Sequence, residues 1–153
     1  MDKVGIGVVG SRFAADFHCD SYSRNEHAQL RAVGAVDNLE EIARKWSIPH
    51  TYGDYRRMLE RDDIDLVSVC VPNFLHHEVV LAAAKAGKHV VCEKPLGITA
   101  AQGREMVAAC RDQGVLLMYA EDWCFAPALR RAGALVEEGG IGRTLYVKAR
   151  ECH

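Results

Sequence analysis

Short apolar runs alternate along this chain with stretches whose apolar residues recur at helical spacing. Val4 to Val9 reads as a strand that breaks on Gly10, and a helical run follows from Phe13 to Ser23. A second strand, Gln29 to Val36, ends at Asp37, and a helix from Leu39 to Trp46 stops before Pro49. Asp54 is placed to cap a short helix through Leu59, its side-chain oxygen accepting an exposed backbone N–H. Ile64 to Val71 is the clearest strand, closed by Pro72, and a helix over His76 to Ala86 ends with Gly87 at the residue after its cap. His89 to Cys92 is a further strand. Thr99 followed by Gln102 has the form of a capping box ahead of a helix to Arg111, within which Gly103 costs about 1 kcal/mol relative to alanine. Val115 to Tyr119 is a strand, and Pro127 suits the first turn of a helix to Glu138 that Gly139-Gly140 ends. Thr144 to Arg150 alternates polar and apolar residues as a half-buried strand does. This alternation predicts an α/β fold, a doubly wound parallel sheet of the Rossmann type.

The first turn has two registers. Gly5, Gly7 and Gly10 match G-x-G-x-x-G, but that reading leaves only Met1 to Val4, with two charges, as the strand. Buried parallel strands are apolar runs of about 5–6 residues. The favoured register therefore takes Val4 to Val9 as the strand and Gly10 as the first fingerprint glycine. Ala15 fills the third, small position, and Arg12 replaces the middle glycine.

Residues 1–120 are expected to form a dinucleotide-binding domain. Residues 121–153 are expected to be a connecting helix and the first strand of a C-terminal α+β domain that is absent or only begun. A strand at 144–150 with one apolar face needs a partner, which predicts self-association through that segment and a homo-oligomer.

Bulk properties narrow the class of protein. The chain has 153 residues and a net charge of −2, with hydrophobic and charged contents of an ordinary globular domain and no argument for nucleic acid or membrane surfaces. No apolar run approaches the roughly 18 residues of a membrane span. Six cysteines without a C-x-x-C pair suggest free thiols in a reducing cytoplasm, and the seven scattered histidines offer no zinc-site spacing, so no metal is expected.

Candidate chemistry falls at strand ends, where open α/β sheets form their ligand crevice. Gly10, Ser11, Arg12, Phe13 and Ala14 make a strand-to-helix turn whose backbone N–H groups suit a pyrophosphate. Asp37 stands where an acid accepts hydrogen bonds from an adenosine ribose and repels a 2′-phosphate, favouring NAD over NADP. Its alternative role is an ordinary turn residue. Arg12 pulls the other way, since a guanidinium pairs with a pyrophosphate or a 2′-phosphate. Val71-Pro72-Asn73, with His76 a turn later, should border the cofactor, although chain stopping and capping explain each residue singly. Lys94, in Glu93-Lys94-Pro95, is placed to stabilise negative charge or shuttle a proton as an alcohol becomes a ketone.

Taken together, Ile6 to Ala15, Val69-Cys70-Val71-Pro72-Asn73 with His76, and Glu93-Lys94-Pro95 resemble the Gfo/Idh/MocA oxidoreductases. The likeness extends through Trp123-Cys124-Phe125-Ala126-Pro127 and Gly139-Gly140-Ile141-Gly142. It implies an N-terminal Rossmann domain, an α+β second domain, and NAD(P)-dependent oxidation or reduction at a sugar or polyol carbon. It further implies that Lys94 is the catalytic lysine and that Glu93 and His76 line the nicotinamide side. Arg12 departs from the family's usual glycine, and the family's remaining substrate-site Asp and His belong to the second domain. The expected activity of this chain is thus cofactor binding with little or no turnover. Two other readings are a non-catalytic nucleotide sensor or partner-binding module, and a Rossmann-like methyltransferase, which gives no account of Lys94.

Overall fold

The computed structural model describes residues 3–150. Six parallel strands form one sheet in the order β3-β2-β1-β4-β5-β6. They are β1 Val4–Val9, β2 Ala28–Gly34, β3 His50–Tyr52, β4 Leu66–Val69, β5 His89–Cys92 and β6 Leu117–Tyr119. The helices that follow them are α1 Phe13–Ser23, α2 Leu39–Trp46, α3 Tyr55–Leu59, α4 Asn73–Lys85 and α5 Ala100–Asp112. The fold is the doubly wound α/β sheet that the alternating pattern predicts.

Two clusters fill the faces of this sheet. On one, Val67, Val69, Val79, Val80, Ala83 and Met106 bring α4 and α5 against the central strands. On the other, Ile6, Val8, Ala15, Cys19, Val33 and Ile42 bring α1 and α2 down. Such two-sided burial explains why β1 and β4 read as continuous apolar runs rather than alternating ones. The same closeness decides the register of the first turn. Gly5 lies inside β1, and a Cβ there would meet the Asp63 carbonyl oxygen at 1.9 Å. It is a glycine because the β3-to-β4 connection crosses against it.

Several boundaries differ from expectation, each for a local reason. β2 stops at Gly34 rather than Val36: Ala35 N–H makes the last ladder bond, to the Tyr52 carbonyl where β3 ends, and Val36 stands 95% exposed. β3 has three residues, too few for any periodicity to announce it. β4 is trimmed from Ile64–Val71 to Leu66–Val69, and α4 begins at Asn73, three residues ahead of His76. Pro72 holds the extended backbone of the N-cap there, so it starts the helix as well as ending the strand. β6 starts at Leu117, since Val115 N–H is taken by the Cys110 carbonyl at the end of α5. Thr99 caps α5 by accepting from Gln102 N–H at 3.2 Å. The returning Gln102 side chain takes the Ile98 N–H at 3.0 Å, one residue earlier than in the usual box.

The described chain divides into two compact units, the first ending at Ala120 and the second beginning at Glu121. In the second unit a 3₁₀ turn, Asp122–Phe125, leads through Ala126 to α6, Pro127–Glu137. The strand expected at Thr144–Arg150 is not formed, and Leu145 and Tyr146 are each 80% exposed. A strand exists by its ladder of hydrogen bonds, and no described residue pairs with this segment. Alternation alone does not make one.

Candidate functional site

The sheet order reverses between β1 and β4, and the C-terminal ends of these strands splay around a crevice. Gly10 opens it. Its φ is +124°, its N–H donates to Gly34 O at 2.9 Å, and a Cβ would meet the Cys70 carbonyl oxygen at 2.2 Å. No L side chain fits that position, so the turn depends on glycine. The chain then enters α1, whose N-cap, Arg12, makes no side-chain cap. The first intrahelical bond is Asp16 N–H to Arg12 O at 3.0 Å, and the N–H groups before it have no partner within the helix. They meet an anion well, helped by the helix dipole.

Beside this turn lies a cavity of about 420 Å³ at the ends of β1, β2 and β4. It is bordered by Gly10, Ser11, Arg12, Asp37, Val71 and Pro72, all expected from the sequence, and by Val36, Tyr55, Phe74 and Glu78, which were not. Val36 and Phe74 adjoin expected residues in the chain, whereas Tyr55 and Glu78 come from α3 and α4 and no local pattern pointed to them. On the α3 side Arg56 bonds to Glu78 and its guanidinium lies 4.7 Å from the Tyr55 ring centroid, which orders that wall.

Asp37 follows β2 on a loop and is held by two partners. Ser11 Oγ donates to one carboxylate oxygen at 2.9 Å, and the Arg12 guanidinium donates to the other. These bonds, Arg12 first, hold the Asp37 carboxyl below the usual carboxylate range. Asp37 is therefore ionised at neutral pH and faces the cavity with spare lone pairs.

The remaining expected residues divide. Phe13 stands exposed at the start of α1 with its ring 4.5 Å from that of Phe17, and Ala14 packs on the core beneath α1. Asn73 is the exposed first residue of α4. His76 is 1% exposed, with Nδ1 2.8 Å from the Pro95 carbonyl oxygen and Nε2 2.9 Å from that of Val71. Its ring thus bridges the backbone of two crevice turns, the one after β4 and the one after β5. Lys94 is exposed just past β5, and its backbone N–H donates to Glu93 Oε2 at 3.0 Å. Glu93 Oε1 lies 3.2 Å from His18 Nε2. His18, on α1, was not among the residues singled out by sequence reasoning. A polar residue between two apolar helix positions was its only signal.

Among the described residues no three His, Cys, Asp or Glu side chains gather as metal ligands, and no helix is long and apolar enough to cross a membrane.

Parallel order, glycine turn, uncapped α1 and acid after β2 together define a nucleotide-binding Rossmann domain. The profile of the Gfo/Idh/MocA family, described as "Oxidoreductase family, NAD-binding Rossmann fold", matches residues 4–121. The chain belongs to this family, as an NAD-binding oxidoreductase domain. It is 34% identical to a levoglucosan dehydrogenase of Pseudarthrobacter phenanthrenivorans over 95% of this chain and 40% of that protein. It is 42% identical to a trans-1,2-dihydrobenzene-1,2-diol dehydrogenase of Oryctolagus cuniculus over 95% of this chain and 44% of that protein. A solved levoglucosan dehydrogenase in complex with NADH superposes with a TM-score of 0.86 at 30% identity, covering 93% of this chain and 41% of the other. The chain thus spans less than half the length of these relatives.

Proposed function

We propose that this chain is the cofactor-binding part of a dehydrogenase that moves a hydride between nicotinamide and the hydroxyl-bearing carbon of a sugar- or polyol-like substrate. The observation that carries the reading is the pairing of two features across the switch point: an ionised Asp37 on the cavity at β2, and Lys94 at the end of β5. Relatives named for levoglucosan and for a dihydrodiol support the substrate class.

The residues present fit a dinucleotide. A left-handed turn at Gly10 that no Cβ can enter, free N–H groups at α1 and a carboxylate at the right strand end are three features that suit such a ligand. The N–H groups of Phe13 and Ala14 hold the pyrophosphate, and Arg12 adds charge to it. Asp37 accepts from the ribose hydroxyls, which favours NAD; a 2′-phosphate would meet its carboxylate. When bound, the nicotinamide supplies the hydride acceptor or donor. Lys94 Nζ donates to the substrate oxygen, stabilises the negative charge that builds there, and passes the proton between that oxygen and solvent. Val71, Pro72 and Asn73 border the nicotinamide side, with His76 bracing their turn and Glu93 bracing Lys94.

This chain matches 40% of the levoglucosan dehydrogenase's length, and on this reading these 153 residues by themselves bind cofactor with little turnover. Fluorescence titration with NADH and NADPH, followed by turnover assays with levoglucosan and inositol as probes, tests both statements. Asp37→Ala should weaken NADH about tenfold, one ribose contact to a charged group, and NADPH less. Equal losses for the two cofactors remove Asp37 from the ribose site. Absence of NADH binding overturns the proposal.

A further inference from the structure

We propose that His18 is a positioning residue for the Glu93–Lys94 segment, tying the carboxylate beside the reactive lysine to the buried hydroxyl of Ser68. This rests on Lys94 having the role given above. His18 Nδ1 lies 2.5 Å from Ser68 Oγ, and His18 Nε2 lies 3.2 Å from Glu93 Oε1. Tyr22 Oη donates to Ser68 Oγ at 3.3 Å, and Lys94 N–H donates to Glu93 Oε2 at 3.0 Å.

The chemistry of each group fixes the direction of the chain of bonds. An ionised carboxylate only accepts, so His18 Nε2 carries the proton and donates to Glu93. We place that one proton on Nε2 and leave the Nδ1 lone pair to accept from the Ser68 hydroxyl. Ser68 Oγ keeps its own lone pairs for Tyr22, whose phenol burial holds in the protonated, donating form. Each donor has one acceptor, and each end is anchored: Tyr22 and His18 on α1, Ser68 on β4, Glu93 past β5. A fully satisfied network of this kind specifies one geometry. It removes freedom from the Glu93 side chain, and through Glu93 Oε2 from the backbone that aims Lys94.

A serine, a histidine and a glutamate in this sequence of bonds also form the constellation of a hydrolase triad. Ser68 is 0% exposed in the middle of β4, between β1 and β5, so no acyl group reaches its oxygen. The carboxylate end of the chain meets the crevice, not the hydroxyl end. The arrangement serves to orient, not to attack.

The test uses the 153-residue chain labelled with ¹⁵N. Ring-nitrogen spectra of His18 at neutral pH should show a proton on Nε2 and none on Nδ1; the opposite tautomer, or both protonated, overturns the proposal without any variant having to fold. Hydrogen exchange at the Lys94 amide is the second readout. His18→Leu should speed it about tenfold, the loss of one charge-assisted bond, while His18→Gln, whose amide can still donate to Glu93, should stay within about threefold of the parent chain. Unchanged exchange in His18→Leu overturns the proposal, as does equal acceleration in both variants. NADH titration of the parent chain is run alongside. Failure to bind there would remove the proposed function, and the tautomer and exchange results would still decide the placement of His18.

Discussion

Gly10 and Asp37 border the crevice proposed to hold the cofactor, and each fails in a different way when altered. Gly10→Ala forces a Cβ to within 2.2 Å of the Cys70 carbonyl at a φ of +124°, so backbone has to move. Urea unfolding should show a loss of about 2–4 kcal/mol, with NADH binding weakened at least about tenfold because the turn itself shifts. Asp37 responds to pH. Its carboxyl is held low by Arg12 and then Ser11, so the pair exists above the ordinary carboxylate value and is lost only as pH falls through the lowered one. The pair is exposed and screened, so it adds little to stability. Cofactor affinity is where it registers. NAD binding followed from neutrality down through the ordinary carboxylate value of 3.8 should show no step there attributable to Asp37, whereas a step at that value would mean that Arg12 does not hold it.

At the level of elements, each strand and helix of the sheet had its own local reason, and the apolar periodicity located nearly all of them. Gly10, Pro72, Asp54 and Thr99 marked ends because each meets a backbone requirement that other residues meet poorly. β3 escaped because three residues carry no period, and Thr144–Arg150 misled because alternation states a preference for a pleated surface without supplying a neighbour. Packing is what holds the helices down. Met106 on α5 is fully buried against the α4 cluster. Met106→Ala should cost about 2–5 kcal/mol in urea unfolding, from lost burial and the cavity left behind. A cost under about 1 kcal/mol would mean that α5 docks loosely.

Across the whole molecule, the thiols report which surfaces are closed. Cys19, Cys70, Cys92 and Cys110 are buried, and Cys124 is exposed in the second unit. Burial pushes the Cys19 and Cys92 thiols up to about 12 and raises those of Cys70 and Cys110. Iodoacetamide at neutral pH should label Cys124 and spare these four, as peptide mass mapping would read. The folded state binds the buried thiol protons more tightly than the unfolded chain. Their contribution is therefore complete below the ordinary value of 9.0 and falls away as pH rises from there toward about 12. Stability measured upward from about pH 9 should decline, and labelling of the buried thiols should appear with it. A flat profile would place these thiols in contact with solvent.

By itself the sequence determined the layered α/β class, the register that ends the first strand at Val9 and turns on Gly10, the acid at Asp37 and the Glu93-Lys94-Pro95 segment. Those features are local: an apolar period, a backbone angle that glycine alone tolerates, a charged residue at a strand end. Only the tertiary structure decided what faces what. It turned His76 inward to bridge two backbone turns, gave Asp37 to Arg12 and Ser11, built a cavity wall from Tyr55, Phe74 and Glu78, and set His18 between Ser68 and Glu93. Side chains fifty and seventy-five residues apart in the chain meet there. The physical reason is that a parallel sheet brings together the ends of strands that are distant in sequence, and the direction of each side chain follows from packing that no short window of residues contains.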